Sequence, residues 1–222
     1  MEIRQDAFPW AARKASGNRV EIMLDNSPNA IQEKRKRFGF NFWQLRTPLT
    51  RHAIEGVNHY GLDNGCFSGD LPKAWFRMLE EAREVRPVFV SMPDVVGSAR
   101  RTMDLFRYFE RETNGLPRAL VLQDGIGDVE IPWSLISAVF VGGTDAFKIS
   151  SEAFAAARCA RMLGKWVHVG RVNEEKRLTA WLGLADSIDG TGLSCGREDQ
   201  LQRVINAIRG EEAQLRLLPE AK

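Results

Sequence analysis

Residues 88 to 112, "VFVSMPDVVGSARRTMDLFRYFERE", change period part-way along. Val88 to Met92 is an apolar run of strand length, whereas Met103, Phe106 and Phe109 recur at helical spacing. A carboxylate, Asp94, sits just after the run. The same order of strand, polar residue and helix recurs along the chain. Val20 to Leu24 leads into "DNSPNA", Phe40 to Leu45 is the next run, and Tyr60 to Leu62 precedes "DNG". Ala119 to Leu122 leads into "QDGIGD", Ala138 to Val141 into "GGTDAFKIS", and Trp166 to Val169 into "GRVNEEKRLTAWLG". Ser187 and Ile188 lead into "DGTGLS" and a last helix near Asp199 to Arg209. Strands alternating with helices imply a parallel sheet covered by helices. About eight units close into a barrel, whereas five or six leave an open sheet. No phosphate-loop or GxGxxG fingerprint follows the first strand, which weighs against the open nucleotide-binding sheet. The expected fold is α/β, a compact and slightly irregular (β/α)8 TIM barrel forming one domain over residues 1–222.

Composition narrows the function classes. The hydrophobic and charged fractions, 44% and 27%, are those of a globular protein. No apolar run approaches the roughly 20 residues that span a bilayer. "MEIRQDAFPWAARK" lacks the layout of a signal peptide, so a cytoplasmic protein with no membrane partner is expected. Cys66, Cys159 and Cys195 are far apart and form no CxxC pair, so neither a structural zinc site nor a disulfide framework is expected. The net charge of +2 is small, but Lys34, Arg35, Lys36 and Arg37 are clustered beside Phe38, Phe40, Phe42 and Trp43. Such cations can neutralise phosphates and such rings can stack on bases. The other reading is a solvated helix end followed by a strand with Phe38, Phe40 and Phe42 alternating inward. The terminal "GEEAQLRLLPEAK" is expected to fray.

Position adds more than composition. The residues just after the strand candidates are Asp25, Asp63, Asp94, Gln123, Gly142–Gly143, His168–Gly170 and Asp189. In a (β/α) barrel these converge on the C-terminal mouth, where catalytic groups gather. A single Asp after a strand is ordinarily a cap or turn former; a set of carboxylates with Gln, His and Gly-Gly is not explained that way. One carboxylate can attack an electrophilic carbon and a second can move protons. A Gln fork suits the edge of a nucleobase, and Gly-Gly lets backbone amides approach a flat ligand.

These stretches, in this order, resemble the tRNA-guanine transglycosylases and their DNA-acting relatives, the 7-deazaguanine DNA transglycosylases of phages and bacterial islands. "LDNGCFS" is similar to the Asp-x-Gly-Gly-Phe motif, placing Asp63, Gly65 and Phe67, and "SMPDVVG" places a base-binding Asp94. "LVLQDG" places Gln123, "VFVGGTDAFKIS" the base-reading Gly142 and Gly143, and "WVHVGRV" the strand carrying His168. "DSIDGTGLS" resembles the Asp-x-x-Asp run, placing Asp186 and the nucleophile Asp189. The resemblance implies a barrel that replaces guanine with a 7-deazaguanine such as preQ0 through a covalent Asp189–sugar intermediate, with Asp63 as acid–base. Asp94, Gln123, Gly142, Gly143, His168 and Phe67 would bind the base. No metal or other cofactor is implied. The family's tRNA enzymes carry a Cys-rich zinc subdomain that this chain lacks, so the resemblance favours DNA as partner. It implies restriction-resistant DNA, in a bacterium or a phage-infected cell.

A lone His after a buried strand also reads as a satisfied core residue. Phosphate contacts are expected from Lys34, Arg35, Lys36, Arg37, Arg171 and Arg197, since C1′ chemistry needs an extruded or single-stranded nucleotide. A tRNA base exchanger, a nucleoside or glycoside hydrolase using the same Asp set, and a non-catalytic nucleic-acid-binding barrel remain alternatives.

Overall fold

The computed structural model describes residues 20–54, 59–173 and 175–215. Eight parallel strands pair in chain order and the last closes on the first. They are β1 (Glu21–Leu24), β2 (Trp43–Arg46), β3 (Tyr60–Leu62), β4 (Val90–Ser91), β5 (Arg118–Leu122), β6 (Ala138–Val141), β7 (Trp166–Val169) and β8 (Ser187–Ile188). The closing register sets Glu21 opposite Ser187 and Ile22 opposite Ile188. The (β/α)8 barrel expected from the sequence is the observed fold.

Helices α1 (Pro28–Phe38), α2 (Ala74–Glu84), α3 (Ala99–Tyr108), α4 (Ser151–Met162) and α5 (Glu175–Thr179) lie between strands, and α6 (Thr191–Cys195) and α7 (Glu198–Leu215) follow β8. Among the described residues, no α-helix separates β2 from β3 or β5 from β6; single turns of 3-10 helix at Ile126–Asp128 and Trp133–Leu135 occupy the second gap. Ser27, Ser98 and Ser150 cap α1, α3 and α4, each accepting a backbone N–H three residues on. These caps fix where the chain leaves the mouth and turns back along the sheet.

Period two divides the strand side chains between two cores. Ile22, Leu24, Leu120, Leu122, Val139, Val141, Val167, Val169 and Ile188 pack outward under the helices. Met23, Trp43, Leu45, Phe89, Ala119, Ala138 and Trp166 fill the barrel interior, with Trp43 and Trp166 stacked at 5.6 Å. This packed plug means that a ligand can enter only from the mouth.

Three details differ from the expected elements. Strand β2 starts at Trp43, because α1 runs through Phe38 and ends on Gly39 in a left-handed conformation (φ 58°). Phe40 and Phe42 are nevertheless buried against the outer core, so the aromatic cluster is packing rather than a base-stacking surface. Strand β4 is regular over Val90–Ser91 only, but its bonds to the neighbouring strands cover the expected run: Val88 N–H donates to Tyr60 O at 2.8 Å and Met92 N–H to Ala119 O at 3.0 Å, up to Pro93, which has no N–H to give. The final helix extends past Arg209 to Leu215, across the first part of the segment expected to fray. Residues 1–14, read for a leader, and 216–222 lie outside the described residues. Among the described residues, no helix is long and apolar enough to cross a membrane.

Candidate active site at the barrel mouth

A cavity of about 310 Å³ opens at the C-terminal ends of the strands. That is near the lower end for small-molecule sites. Its lining brings together Asp25, Asp63, Asp94, Gln123, Gly142, Gly143 and Asp189, with Phe67 and Arg171. The strand-end positions thus converge as the alternation of strands and helices required.

Asp63 leaves β3 with its N–H bonded to Arg46 O at 2.8 Å. Burial is the main reason its carboxyl is pushed up to about 7, and the facing carboxylates of Asp189 and Asp94 add to the shift. The Asn64 and Gly65 amides oppose it. Asn64 is itself a buried hub: its Nδ2 lies 2.8 Å from Asp94 Oδ1 and 2.7 Å from Met92 O, and its Oδ1 accepts the Cys66 N–H at 2.7 Å. The Asp-Asn-Gly bend therefore ties the end of β3 to the end of β4 and presents Asp63 at the same time.

Asp94 is gripped on both oxygens, by Asn64 and, on Oδ2, by Gln123 Nε2 at 2.6 Å. Burial raises its pKa against those two donors. Gln123 Oε1 accepts the Gly97 N–H at 2.9 Å, so both ends of its amide are engaged and its direct contribution is to orient Asp94. Asp25 accepts from Thr50 Oγ1 at 2.6 Å; burial raises its pKa, and Asp189 adds to the rise.

Asp189 follows β8. Its Oδ1 accepts the Arg171 N–H at 2.8 Å and lies 3.3 Å from His168 Nε2, while Oδ2 has no partner among the described residues. Arg171 holds a left-handed backbone (φ 61°), uncommon for a residue with a side chain. That conformation aims its N–H at Asp189, and its guanidinium stacks 4.0 Å over the exposed Phe67 ring at the rim. Gly170 is required beside it, since a Cβ there would meet Phe140 at 2.4 Å.

The two glycines after β6 differ in availability. Gly142 N–H is spent in the sheet, donating to Leu122 O at 3.1 Å, so only Gly143 keeps an amide without a partner among the described residues. Gly143 has φ 72°, and a Cβ there would meet Phe147 at 2.5 Å. Asp124 pins the next residue, accepting from Thr144 N at 3.0 Å and Thr144 Oγ1 at 2.6 Å.

Several expected roles are corrected. His168 is fully buried beneath the cavity and does not line it; its Nε2 faces Asp189 rather than the space a base would fill. Lys34 donates to Ser194 O at 3.1 Å, Arg35 to Phe42 O at 3.0 Å, and Arg37 pairs with Glu198. Neither these three nor Lys36 line the cavity, because α1 carries them down the outside of the barrel. Arg197 pairs with Asp199 at 3.0 Å and borders a separate surface groove. Asp186 lies at the opposite end of β8, where its Oδ2 accepts Val167 N–H at 2.8 Å.

Lys148 was missed. It is buried in the cavity wall, its Nζ donates to Gly170 O at 2.9 Å, and burial lowers its pKa to about 8 against the pull of Asp189. The available signal was a lysine between Phe147 and Ile149 in the Gly-Gly loop. Among the described residues, no cluster of three or more His, Cys, Asp or Glu side chains is arranged to hold a metal.

The closed barrel is similar to solved structures. One, described as "Native KDPGal structure", matches with a TM-score of 0.52 and 11% identity, over 87% of this chain and 95% of that one. The recombinant flavin-binding domain of baker's yeast flavocytochrome b2 matches with a TM-score of 0.52 and 15% identity, over 90% of this chain and 64% of that one. The fold is that of a TIM barrel. At such identities the likeness carries the fold and leaves the chemistry to the site. No protein-family model and no curated protein matches the sequence.

Proposed function

We propose that this barrel exchanges a purine base on a nucleic-acid sugar, replacing guanine in DNA with a 7-deazaguanine such as preQ0. One observation carries the reading: Asp63, with a pKa of about 7, shares a cavity with Asp189, which keeps one oxygen free. A carboxyl that titrates near neutrality can both give and take a proton, while a carboxylate held on one oxygen can attack with the other.

In this mechanism Asp189 Oδ2 attacks C1′ through an oxocarbenium-like transition state. The C1′–N9 bond breaks as Asp63 delivers its proton to the departing guanine, leaving a deoxyribosyl ester on Asp189. The incoming base gives its N9 proton to Asp63 and attacks C1′, which releases Asp189. Asp94, oriented by Asn64 and Gln123, accepts from the N–H groups of the base, and the Gly143 amide donates to an acceptor on it. Phe67 offers a stacking face, and Arg171 is the phosphate candidate at the rim. Every proton is conserved, and the product is modified DNA that would resist restriction.

Incubation with labelled guanine and either a DNA duplex, a single strand or tRNA tests the reading. Label should enter DNA, and a denaturation-resistant protein–DNA adduct should form. Asp189→Ala should abolish both. Label entering tRNA alone overturns the DNA assignment, and an adduct that survives Asp189→Ala overturns the nucleophile.

A second reading is favoured by the placement of the cations. Of the six phosphate candidates in the sequence, only Arg171 borders the cavity. A small nucleoside needs no phosphate track, so the same carboxylates would serve a nucleoside hydrolase. Release of free base from a nucleoside, with no label incorporated into any polymer, would establish that reading instead.

A further inference from the structure

Below Asp189 lies a chain of polar side chains inside the barrel. The β7–β8 register sets His168 opposite Ser187. Trp166 Nε1 lies 2.8 Å from Ser187 Oγ, and the same oxygen lies 2.8 Å from His168 Nδ1. All three residues are buried. The Phe89 and Phe140 rings flank the imidazole at 4.9 and 4.5 Å.

The chemistry of the three groups decides who donates. An indole N–H can only donate, so Ser187 Oγ accepts from Trp166. The hydroxyl proton of Ser187 then needs an acceptor, and His168 Nδ1 is the one beside it among the described residues. That nitrogen must be unprotonated. In a neutral imidazole the proton therefore sits on Nε2, which faces Asp189 Oδ1 at 3.3 Å. The Arg171 N–H reaches the same oxygen.

We propose that Trp166, Ser187 and His168 form a buried orienting relay that fixes the Nε2–H tautomer of His168. The relay holds Asp189 by Oδ1, leaving Oδ2 for reaction. These are positioning residues, because none of them lines the cavity. The consequence for Asp189 as attacking group rests on the proposed function, whereas the tautomer does not. Charged groups from several elements also face Asp189: Asp25 after β1, Asp63 after β3, Lys148 after β6 and Arg171 after β7. The relay supplies a side-chain N–H donor to a carboxylate whose neighbours include the acids Asp25 and Asp63 as well as Lys148.

Nitrogen NMR of the full chain, with the His168 signals assigned against His168→Phe, tests the tautomer. The expected result is an unprotonated Nδ1 and a protonated Nε2 near neutral pH. Ser187→Ala should move the imidazole toward the Nδ1-protonated form. Trp166→Phe removes the N–H that makes Ser187 donate to His168, and should weaken the tautomer preference less than Ser187→Ala does. In adduct formation, Ser187→Ala should shift the acid limb of the rate profile upward by about one pH unit, the scale set by loss of one charge-assisted hydrogen bond. Its KM for DNA should remain unchanged. An Nδ1-protonated or doubly protonated His168 in the wild type overturns the relay. So does a Ser187→Ala protein with unaltered tautomer and pH profile. Correct tautomer with no adduct from the wild type refutes base exchange and still supports the relay.

Discussion

Replacing Asp63 by asparagine separates a group held for chemistry from one held for the fold. The Asp63 carboxyl moves from 3.8 to about 7 on folding, chiefly through burial, with repulsion from Asp189 and Asp94 adding to it. That is about 3 pH units, or about 4 kcal/mol at 1.36 kcal/mol per unit. The sign follows from proton counting. Between pH 3.8 and about 7 the folded state keeps a proton that the unfolded chain has lost, so the stability attached to this group falls as pH rises through that window.

In Asp63→Asn the side-chain amide carries no charge to desolvate, and its carbonyl oxygen can still accept from the Asn64 and Gly65 amides. Its NH2 group enters a carboxylate-lined cavity open to water, so an unmet donor costs at most about 1–3 kcal/mol. The variant should match or fall slightly below the wild type in stability at pH 4. Relative to the wild type it should gain about 4 kcal/mol between pH 4 and pH 8. Urea unfolding at both pH values measures the difference, with the slope m as a check that the exposed surface is unchanged. Base exchange should meanwhile slow by roughly 10²–10⁴, the usual worth of a positioned acid–base. A variant that unfolds at pH 8, or a difference that does not change with pH, would refute the argument and return Asp63 to turn chemistry.

Two further substitutions probe the wall of the cavity. Lys148 has its pKa lowered from 10.5 to about 8, so the unfolded chain holds the extra proton between those values and the wild type should gain up to about 3 kcal/mol as pH rises through that window. Lys148→Met should remove that gain, read as the wild-type minus variant difference in urea unfolding at pH 8 and pH 10. Gly170→Ala would put a Cβ 2.4 Å from Phe140 and 3.4 Å from Asp189 Oδ1. It should cost about 1–3 kcal/mol by thermal unfolding, and adduct formation should slow about 10²-fold if Asp189 moves by an ångström.

The barrel was legible because its signal is repeated. Each strand run carries a local signal, and eight of them in alternation with helices admit one closed arrangement. Where an individual run differs from its expected bounds, the cause is local: Gly39 ends α1 late enough to delay β2. The strand-end carboxylates were legible for the same reason, since parallel strands of a barrel deliver their C-terminal ends to one mouth. Competition for hydrogen bonds was not legible. Gln123 has the groups to read a base edge, but Asp94 and Gly97 already occupy them, and those partners come from a different unit of the chain. Arg35 and Lys34 likewise look free in sequence and are engaged by Phe42 and Ser194.

Depth is the other hidden variable, and it explains His168. Period two says which face of a strand a residue takes, so His168 and Gly170 share the inner face of β7, as Ser187 and Asp189 share that of β8. It does not say which layer meets solvent. A closed barrel staggers its strands, so the last inward position of each is at the surface while the one two residues earlier is capped by its neighbours. His168 and Ser187 occupy that lower layer at 0% exposure, directly beneath Gly170 and Asp189 in their own strands. A polar residue one layer below a carboxylate at the mouth cannot touch a ligand in the cavity, but its hydrogen bonds can decide which oxygen of that carboxylate is free. His168, expected from the sequence to bind a base, is therefore best understood by counting two residues forward along β7 and across to β8, to the group it faces.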